Sequence, residues 1–391
     1  MKIWAIILAL ALGMALLPSC RDKSQINNKV VVTAVGVDAG EDGECHLSIQ
    51  AIETLKTSGS LTQQEDNATS VYESDGPSVA GALKSFVTTT GRNAYILHNR
   101  VIAVGMEQLQ SQPLLSLIDY FIRNHEGRPL VDMVVCRGKA AELLNIPSKS
   151  YTIPAEHLSM LLNEGEKWGY VARADLLDVE RAVSGMFDAT LPIVNVKSEG
   201  EGEEKKQTVL MDGTAVFRNG HLAGELDEAA TRGLLFGRGD IDQCLYVLEM
   251  VRQDGTEDRL TVEIHGSDTQ IDVQRQGNAA LFTIRISCRA EISEEYRPEN
   301  WALHNLPAIE EALSRMIEQD VRAMLDATIM DMGCDVLGLC RLLQKREPRV
   351  IRGFESQWPE RLRECEIRVE ADARINNVGV ESGENPRPVG D

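Results

Sequence analysis

Nowhere in the 391 residues do two cysteines stand as a C-x-x-C pair. That absence removes the usual spacing of a structural zinc site, and an odd number of scattered thiols beyond residue 20 gives no disulfide framework. Those thiols are Cys45, Cys136, Cys244, Cys288, Cys334, Cys340 and Cys365. Cys136 in "MVVC" and Cys288 in "TIRISC" sit in apolar strand patterns, so they read as buried free thiols packed as small hydrophobes. The chain also lacks G-x-S-x-G, H-E-x-x-H, a Walker loop and a dinucleotide fingerprint, which leaves no recognisable catalytic or cofactor motif. Base is in deficit: 40 Lys and Arg face 60 Asp and Glu, a formal charge of −20. Such a surface repels phosphate backbones and disfavours nucleic acid as a partner. Past residue 20 no apolar run approaches the roughly 20 residues of a spanning helix.

One apolar run is present, at the very start. Ile3 to Leu17 follow a single lysine, Lys2, and stop at Pro18-Ser19-Cys20. This is too short to span the hydrocarbon core and fits the roughly 7–15 residues of an export-signal core behind a positive n-region. Leu17-Pro18-Ser19-Cys20 resembles the bacterial lipobox, in which cleavage between a small residue and a cysteine leaves that cysteine diacylated as the mature N-terminus. Pro18 departs from the commonest pattern. The expectation is cleavage between Ser19 and Cys20, lipid attachment at Cys20, and an exported, lipid-anchored body. The competing reading keeps Cys20 incidental to a short uncleaved anchor.

A body of about 370 residues exceeds what one core usually holds, and its composition is that of a globular chain. Lys29 to Ile52 reads as two strands around an acidic loop, followed by a polar tract from Thr54 to Ser70. A helix is expected after Asp75-Gly76-Pro77, with cap and early proline, then a strand at Val101–Gly105. "PLLSLIDYFIRN" carries Leu114, Leu117, Ile118 and Phe121 on one helical face, "LVDMVVC" is a strand and "KAAELL" a short helix. The charge run Lys197 to Lys206 reads as a solvated hairpin loop. Asn219-Gly220 between apolar strand residues marks a two-residue hairpin, and Asp227 caps the helix that follows.

Two long stretches then alternate strictly. Phe282, Ile284, Ile286, Cys288, Ala290 and Ile292 form one apolar face, and Cys365, Ile367, Val369, Ala371, Ala373 and Ile375 another. Period two over such lengths means a sheet with one wet face and one face on a core. Ile309, Leu313, Met316, Ile317, Met324 and Leu325 line the helix between them, which Pro307 opens. The fold expected is α+β and multi-domain, with mixed and antiparallel sheets packed on helices. Its division runs 1–19 signal peptide, 20–28 tether, 29–205 N-terminal α+β region breaking near 137–150, 206–378 C-terminal domain, and 379–391 disordered tail.

Candidate chemistry is thin. His125-Glu126 could be a general base beside a carboxylate, but a charged helix-terminal loop explains it better. Asp326, Asp331 and Asp335 lack the glycine and terminal glutamate of a calcium loop and read as a solvated helix end. The histidines lie far apart, none at a metal-ligand spacing, so no metal site is expected.

Three stretches together resemble one family. "CRDKSQIN" is similar to the start of the mature Ger(x)C lipoproteins, the C subunits of spore nutrient germinant receptors, through Cys20, Asp22, Ile26 and Asn27; Arg21 replaces the usual tryptophan. The next hairpin keeps Gly36 and Asp38. "DGTAVFRNGHLAGELDEAATRGLLF" resembles the family's G-x-A-V-F hairpin and E-x-R-G-L-L helix through Gly213, Phe217, Arg232 and Gly233. Asp335, Gly338, Pro348 and Trp358 match the closing segment, with Cys340 where a small residue is common.

The resemblance implies a non-catalytic lipoprotein on the outer face of the spore inner membrane. Its implied partners are the membrane, through a diacylglyceryl anchor, and the integral-membrane A and B subunits of a germinant receptor. It implies no cofactor and no ligand pocket, and the matched residues other than Cys20 read as folding residues. The runner-up is a lipid-anchored solute-binding or cell-wall-active protein.

Overall fold

The computed structural model describes residues 29–52, 69–124, 127–148, 151–184, 187–200, 206–251, 255–277, 279–296, 301–348 and 357–377. The chain begins with β1 (Lys29–Ala39), β2 (Cys45–Ile52) and β3 (Thr69–Gly76), then α1 (Val79–Thr90) and the short β4 (Asn93–Tyr95). There follow β5 (Val101–Gly105), α2 (Met106–Ser111), α3 (Leu114–Arg123), β6 (Asp132–Cys136), α4 (Ala140–Leu144) and α5 (Pro154–Lys167). β7 (Ala174–Asp175), α6 (Leu176–Ser184), β8 (Ala189–Glu199), β9 (Lys206–Arg218) and β10 (His221–Leu226) complete a ten-stranded sheet in the order β10-β9-β8-β6-β5-β1-β2-β3, with β4 and β7 beside β1 and β6.

The centre of this sheet is parallel, β1 beside β5, β5 beside β6 and β6 beside β8. Parallel neighbours need crossovers, and the crossover helices cover both faces. α1, α2, α3 and α6 pack with Val35, Ile102, Met133 and Ile193 on one face; α4 and α5 pack with Ala34, Ala103, Val134 and Cys136 on the other. Burial on both sides explains why "VIAVG" and "DMVVC" are unbroken apolar runs.

The second sheet follows α7 (Glu228–Arg238). It runs β11 (Gln243–Val251), β12 (Glu257–Gln276), β13 (Ala279–Glu295) and β14 (Glu366–Asn377) in spatial order. The crossover from β13 to the parallel β14 holds α8 (Trp301–Leu325), a wider π-helical segment over Asp326–Met332, α9 (Leu339–Arg346) and α10 (Trp358–Arg363). Among the described residues only one face is covered. Phe282, Ile284, Ile286, Ala290 and Val369 pack against Leu234, Ile309, Leu313, Ile317 and Met324. On this core side every alternating residue expected from the sequence is present.

Several expectations are corrected. The cap of α1 is Ser78, whose Oγ accepts from Gly81 N at 3.1 Å, while Asp75 lies in β3 and pairs with His46. Pro307 does not open α8: helix already runs from Trp301, and the backbone leaves helical geometry at Asn305 (φ −125°, ψ 17°). That break lets a proline sit inside one continuous element, because its missing N–H falls at the start of the second helical stretch. Apart from these corrections, the hairpin β9–β10 is hydrogen-bonded through β8 into the first sheet. The polar tract as far as residue 68, His125-Glu126 and the tail beyond Asn377 lie outside the described residues, while Thr69 and Ser70 open β3.

The turn Asn219-Gly220 has φ of 52° and 80°, both left-handed as a two-residue hairpin requires. Asp227 caps α7, its Oδ1 accepting from Ala230 N at 2.8 Å. The seven cysteines among the described residues are free, six of them buried and Cys365 half-buried. Among the described residues no helix is long and apolar enough to cross a membrane.

Candidate functional site

The family-motif residues sit at the joints of the fold. In the first lobe Asp38, 3 % exposed at the end of β1, accepts from Ala140 N at 2.8 Å and Ala141 N at 2.9 Å. Burial pushes its carboxyl up, opposed by those two amides. Gly36 lies under the same helix, where an added Cβ would come within 3.0 Å of the Ala140 Cβ. Together they seat α4 on the sheet. Gly213 has φ +89°, and a Cβ there would lie 2.1 Å from the Leu226 carbonyl. Only glycine lets β9 pass that close to the end of β10. Phe217, 1 % exposed, anchors β9 between Ala189 and Leu222.

In the second lobe Arg232 and Gly233 make the contact between α7 and α8. A Cβ on Gly233 would lie 2.0 Å from the Asp320 carbonyl, so the helices touch through backbone. Arg232 Nε donates to Asp320 Oδ2 at 2.6 Å and to the Tyr246 hydroxyl at 3.2 Å, and Tyr246 donates to the same carboxylate at 2.6 Å. The guanidinium also lies 4.7 Å from the Tyr246 ring centre. Burial disfavours the cation, yet the Asp320 bond raises its pKa on balance; burial and the Asp320 charge push the Tyr246 phenol well up. Asp320 and Tyr246 went unrecognised in the sequence. The signal was there: Asp320 interrupts the apolar stripe Leu313, Ile317, Val321 and Met324.

Asp335 overturns the expectation of a solvated helix end. Asp326 and Asp331 are exposed, but Asp335 turns inward. It accepts from Leu339 N at 2.8 Å, Cys340 N at 2.7 Å and Trp358 Nε1 at 3.0 Å. Burial raises its pKa to about 6 against those three donors. Gly338, φ +70°, precedes α9 in a left-handed conformation, and Trp358 meets Phe282 edge-on at 6.5 Å. The carboxylate thus ties α9 and α10 to the sheet. Ser19, Cys20, Asp22 and Asn27 lie outside the described residues, as does Pro348's follow-on segment.

These joints do not converge on one reaction centre. Between the lobes lies a cavity of about 690 Å³ whose charged wall includes Glu166, Arg173, Asp188, Arg238 and Asp240. Arg238 bridges the lobes through Nη2, donating to Thr190 Oγ1 at 3.0 Å and to the Val336 carbonyl at 3.2 Å. Burial lowers its pKa. It raises Glu166 to about 7, with the Asp240 charge adding to the shift. Its described lining holds no serine, cysteine or histidine. The cleft can bind a charged group or exchange a proton at Glu166, but it presents no nucleophile–base pair. Elsewhere one group of described residues, Glu263, His265 and Glu291, has the spacing to hold a metal ion.

Comparison with known proteins accounts for the chain almost end to end. A family model described as "Spore germination protein N-terminal domain" matches residues 22–196, and one described as "Spore germination B3/ GerAC like, C-terminal" matches residues 212–379. The chain is 21% identical over 389 residues to "Spore germination protein KC" of Bacillus subtilis (strain 168), covering 94% of each. It is 23% identical over 377 residues to "Spore germination protein B3" of the same organism, covering 92% of this chain and 94% of that one. Among solved structures, "Crystal Structure of the GerBC protein" superposes with a TM-score of 0.57 at 18% identity, over 88% of this chain and 97% of the other. That likeness shows the fold.

Proposed function

The chain belongs to the GerAC-like spore germination family, and from that premise we propose that it is the lipid-anchored, non-catalytic subunit of a spore nutrient germinant receptor, needed for nutrient-triggered germination. The observation that carries the reading is the collinear match of both family domains directly behind the Leu17–Cys20 motif. The first matched residue, 22, falls two positions after the cysteine.

Cys20 carries the anchor in this account, residues 20–28 are the tether, and the body lies on the outer face of the spore inner membrane. A diacylglyceryl group supplies two chains, enough for stable retention where one would be marginal. The tether confines the folded body near integral-membrane A and B subunits, so docking becomes nearly intramolecular and weak surfaces suffice. The joints at Asp38, Arg232, Gly233, Asp335 and Trp358 serve this role as folding residues: they make one rigid body to present. Asp22, Asn27 and Gly338 belong to the same set.

Replacing Cys20 by Ala tests the reading. The variant is expected to leave the membrane fraction of spores and to slow the nutrient response while germination by non-nutrient triggers is kept. Full membrane retention with a normal nutrient response would contradict it.

A further inference from the structure

The wet face of the second sheet carries a group that the account above leaves unused. Glu263 and His265 stand two residues apart on β12, so both point outward. Glu291 on β13 is the direct cross-strand partner of Glu263. One nitrogen of His265 and one oxygen of each glutamate lie within 4.8 Å of one another, all half-buried. The pairing places two carboxylates opposite each other on a chain of net charge −20, an arrangement that destabilises a sheet unless a cation relieves it.

Two accounts of that cation compete. In the first His265 is protonated and forms an ion pair with both glutamates. In the second the imidazole is neutral and the cation is a metal ion. Geometry separates them. His265 Nδ1 is 3.8 Å from Glu263 Oε1, too far for a hydrogen bond. Nε2 is 3.1 Å from Glu291 Oε1, yet it is shut off from solvent and makes no aligned hydrogen bond. An imidazolium here would leave the buried Nε2–H without an aligned acceptor.

Two ligands bound to one tetrahedral ion at about 2.1 Å stand roughly 3.4 Å apart, with the nitrogen lone pair aimed between them rather than at the oxygen. A short but misaligned N···O contact has that form. His46 provides the contrast within the same molecule: it too has two carboxylates nearby, but its Nδ1 makes a well-formed 2.8 Å hydrogen bond to Asp75. A strand irregularity between Ile264 and Ser267, with Gly266 at φ +84°, accompanies His265. Ser293 Oγ, 3.4 Å from Glu263 Oε2, occupies the carboxylate oxygen that faces away from His265.

We propose that Glu263, His265 and Glu291 form a three-ligand site for a divalent transition-metal ion of the zinc class, with its remaining coordination positions open to water or to a donor from outside. One imidazole and two carboxylates suit zinc better than magnesium, which prefers an all-oxygen octahedron. The site stands apart from the interlobe cleft and does not depend on how the chain is anchored.

Calorimetric titration of the chelator-treated full chain with zinc chloride, and separately with magnesium chloride, tests it. Saturable one-to-one zinc binding with a raised Tm is expected, and at least 10-fold weaker binding of magnesium. His265→Ala and Glu291→Gln should each weaken zinc by about 10-fold or more, whereas His46→Ala leaves it unchanged. Glu291→Gln is a near-isosteric change on the wet face, so it decides the question if His265→Ala disturbs folding. No saturable zinc binding by the native chain overturns the proposal, as does native affinity in folded Glu291→Gln.

Discussion

In the first sheet β5 and β6 are buried at every residue; in the second, from Ile284 to Ile292, β13 buries alternate residues and turns Arg285, Ser287 and Arg289 to water. The cause is connectivity. Parallel neighbours joined by crossover helices are covered on both faces, whereas the second sheet is mostly antiparallel and has its helices on one side. The first lobe is therefore sealed by its own helices. The second keeps an uncovered sheet face, where Leu245 and Val247 are 42% and 51% exposed and the Glu263–His265–Glu291 group stands.

Charge insertion breaks this comparison most sharply. Ile102→Asp and Ala103→Asp, adjacent but on opposite faces, are both expected to unfold the first lobe, since an unpaired buried carboxylate costs a large part of the 5–15 kcal/mol that holds typical domains. On β13 Ile286→Asp should act likewise, while Ser287→Lys, whose charge would stand between the cross-strand partners Asp268 and Asp372, stays within about 0.5 kcal/mol. Urea unfolding of the four variants decides, and a mild Ala103→Asp would refute the two-face burial of β5. Next in size is Asp320→Ala, which strands the half-buried Arg232 and should cost about 3–5 kcal/mol in the same assay.

A pH effect comes third. Asp335 has its folded pKa raised from 3.8 to about 6, so the native state holds a proton that the unfolded chain releases. The Asp335 contribution to stability therefore falls as pH rises between those values, by on the order of 2–3 kcal/mol, and levels off above. Asp335→Asn removes the titration, so the native chain should lose ground against it between about pH 4 and pH 6; a constant difference would contradict the assignment. The smallest effect belongs to Arg137, 38% exposed between Asp212 and Glu225. Arg137→Ala should cost no more than about 1 kcal/mol, less in high salt.

The sequence made the second sheet legible nearly residue by residue, because alternation is a local signal and one face is wet. It marked the Asn219-Gly220 turn and the Asp227 cap for the same reason. Short apolar runs located β5 and β6, but not their parallel pairing, which depends on partners about 30 residues apart. The cap of α1 was misplaced because aspartate and serine are both good caps and only register chooses between them. Asp335 was invisible as a buried group: two amides just ahead of it and an indole 23 residues later together take it inward, and the indole is not a local signal. The proposed metal ligands share that non-local character. Glu263 and His265 are separated by one residue, but Glu291 joins them only through cross-strand register.

The central claim is that acyl chains on Cys20 hold this body beside membrane-embedded companions. Labelling sporulating cells with radioactive palmitate and isolating the mature chain tests it most directly. Label entering the native protein, absent from Cys20→Ala and found in the membrane fraction together with multispanning companions, is the predicted result. An unlabelled protein released freely and recovered alone would contradict the account.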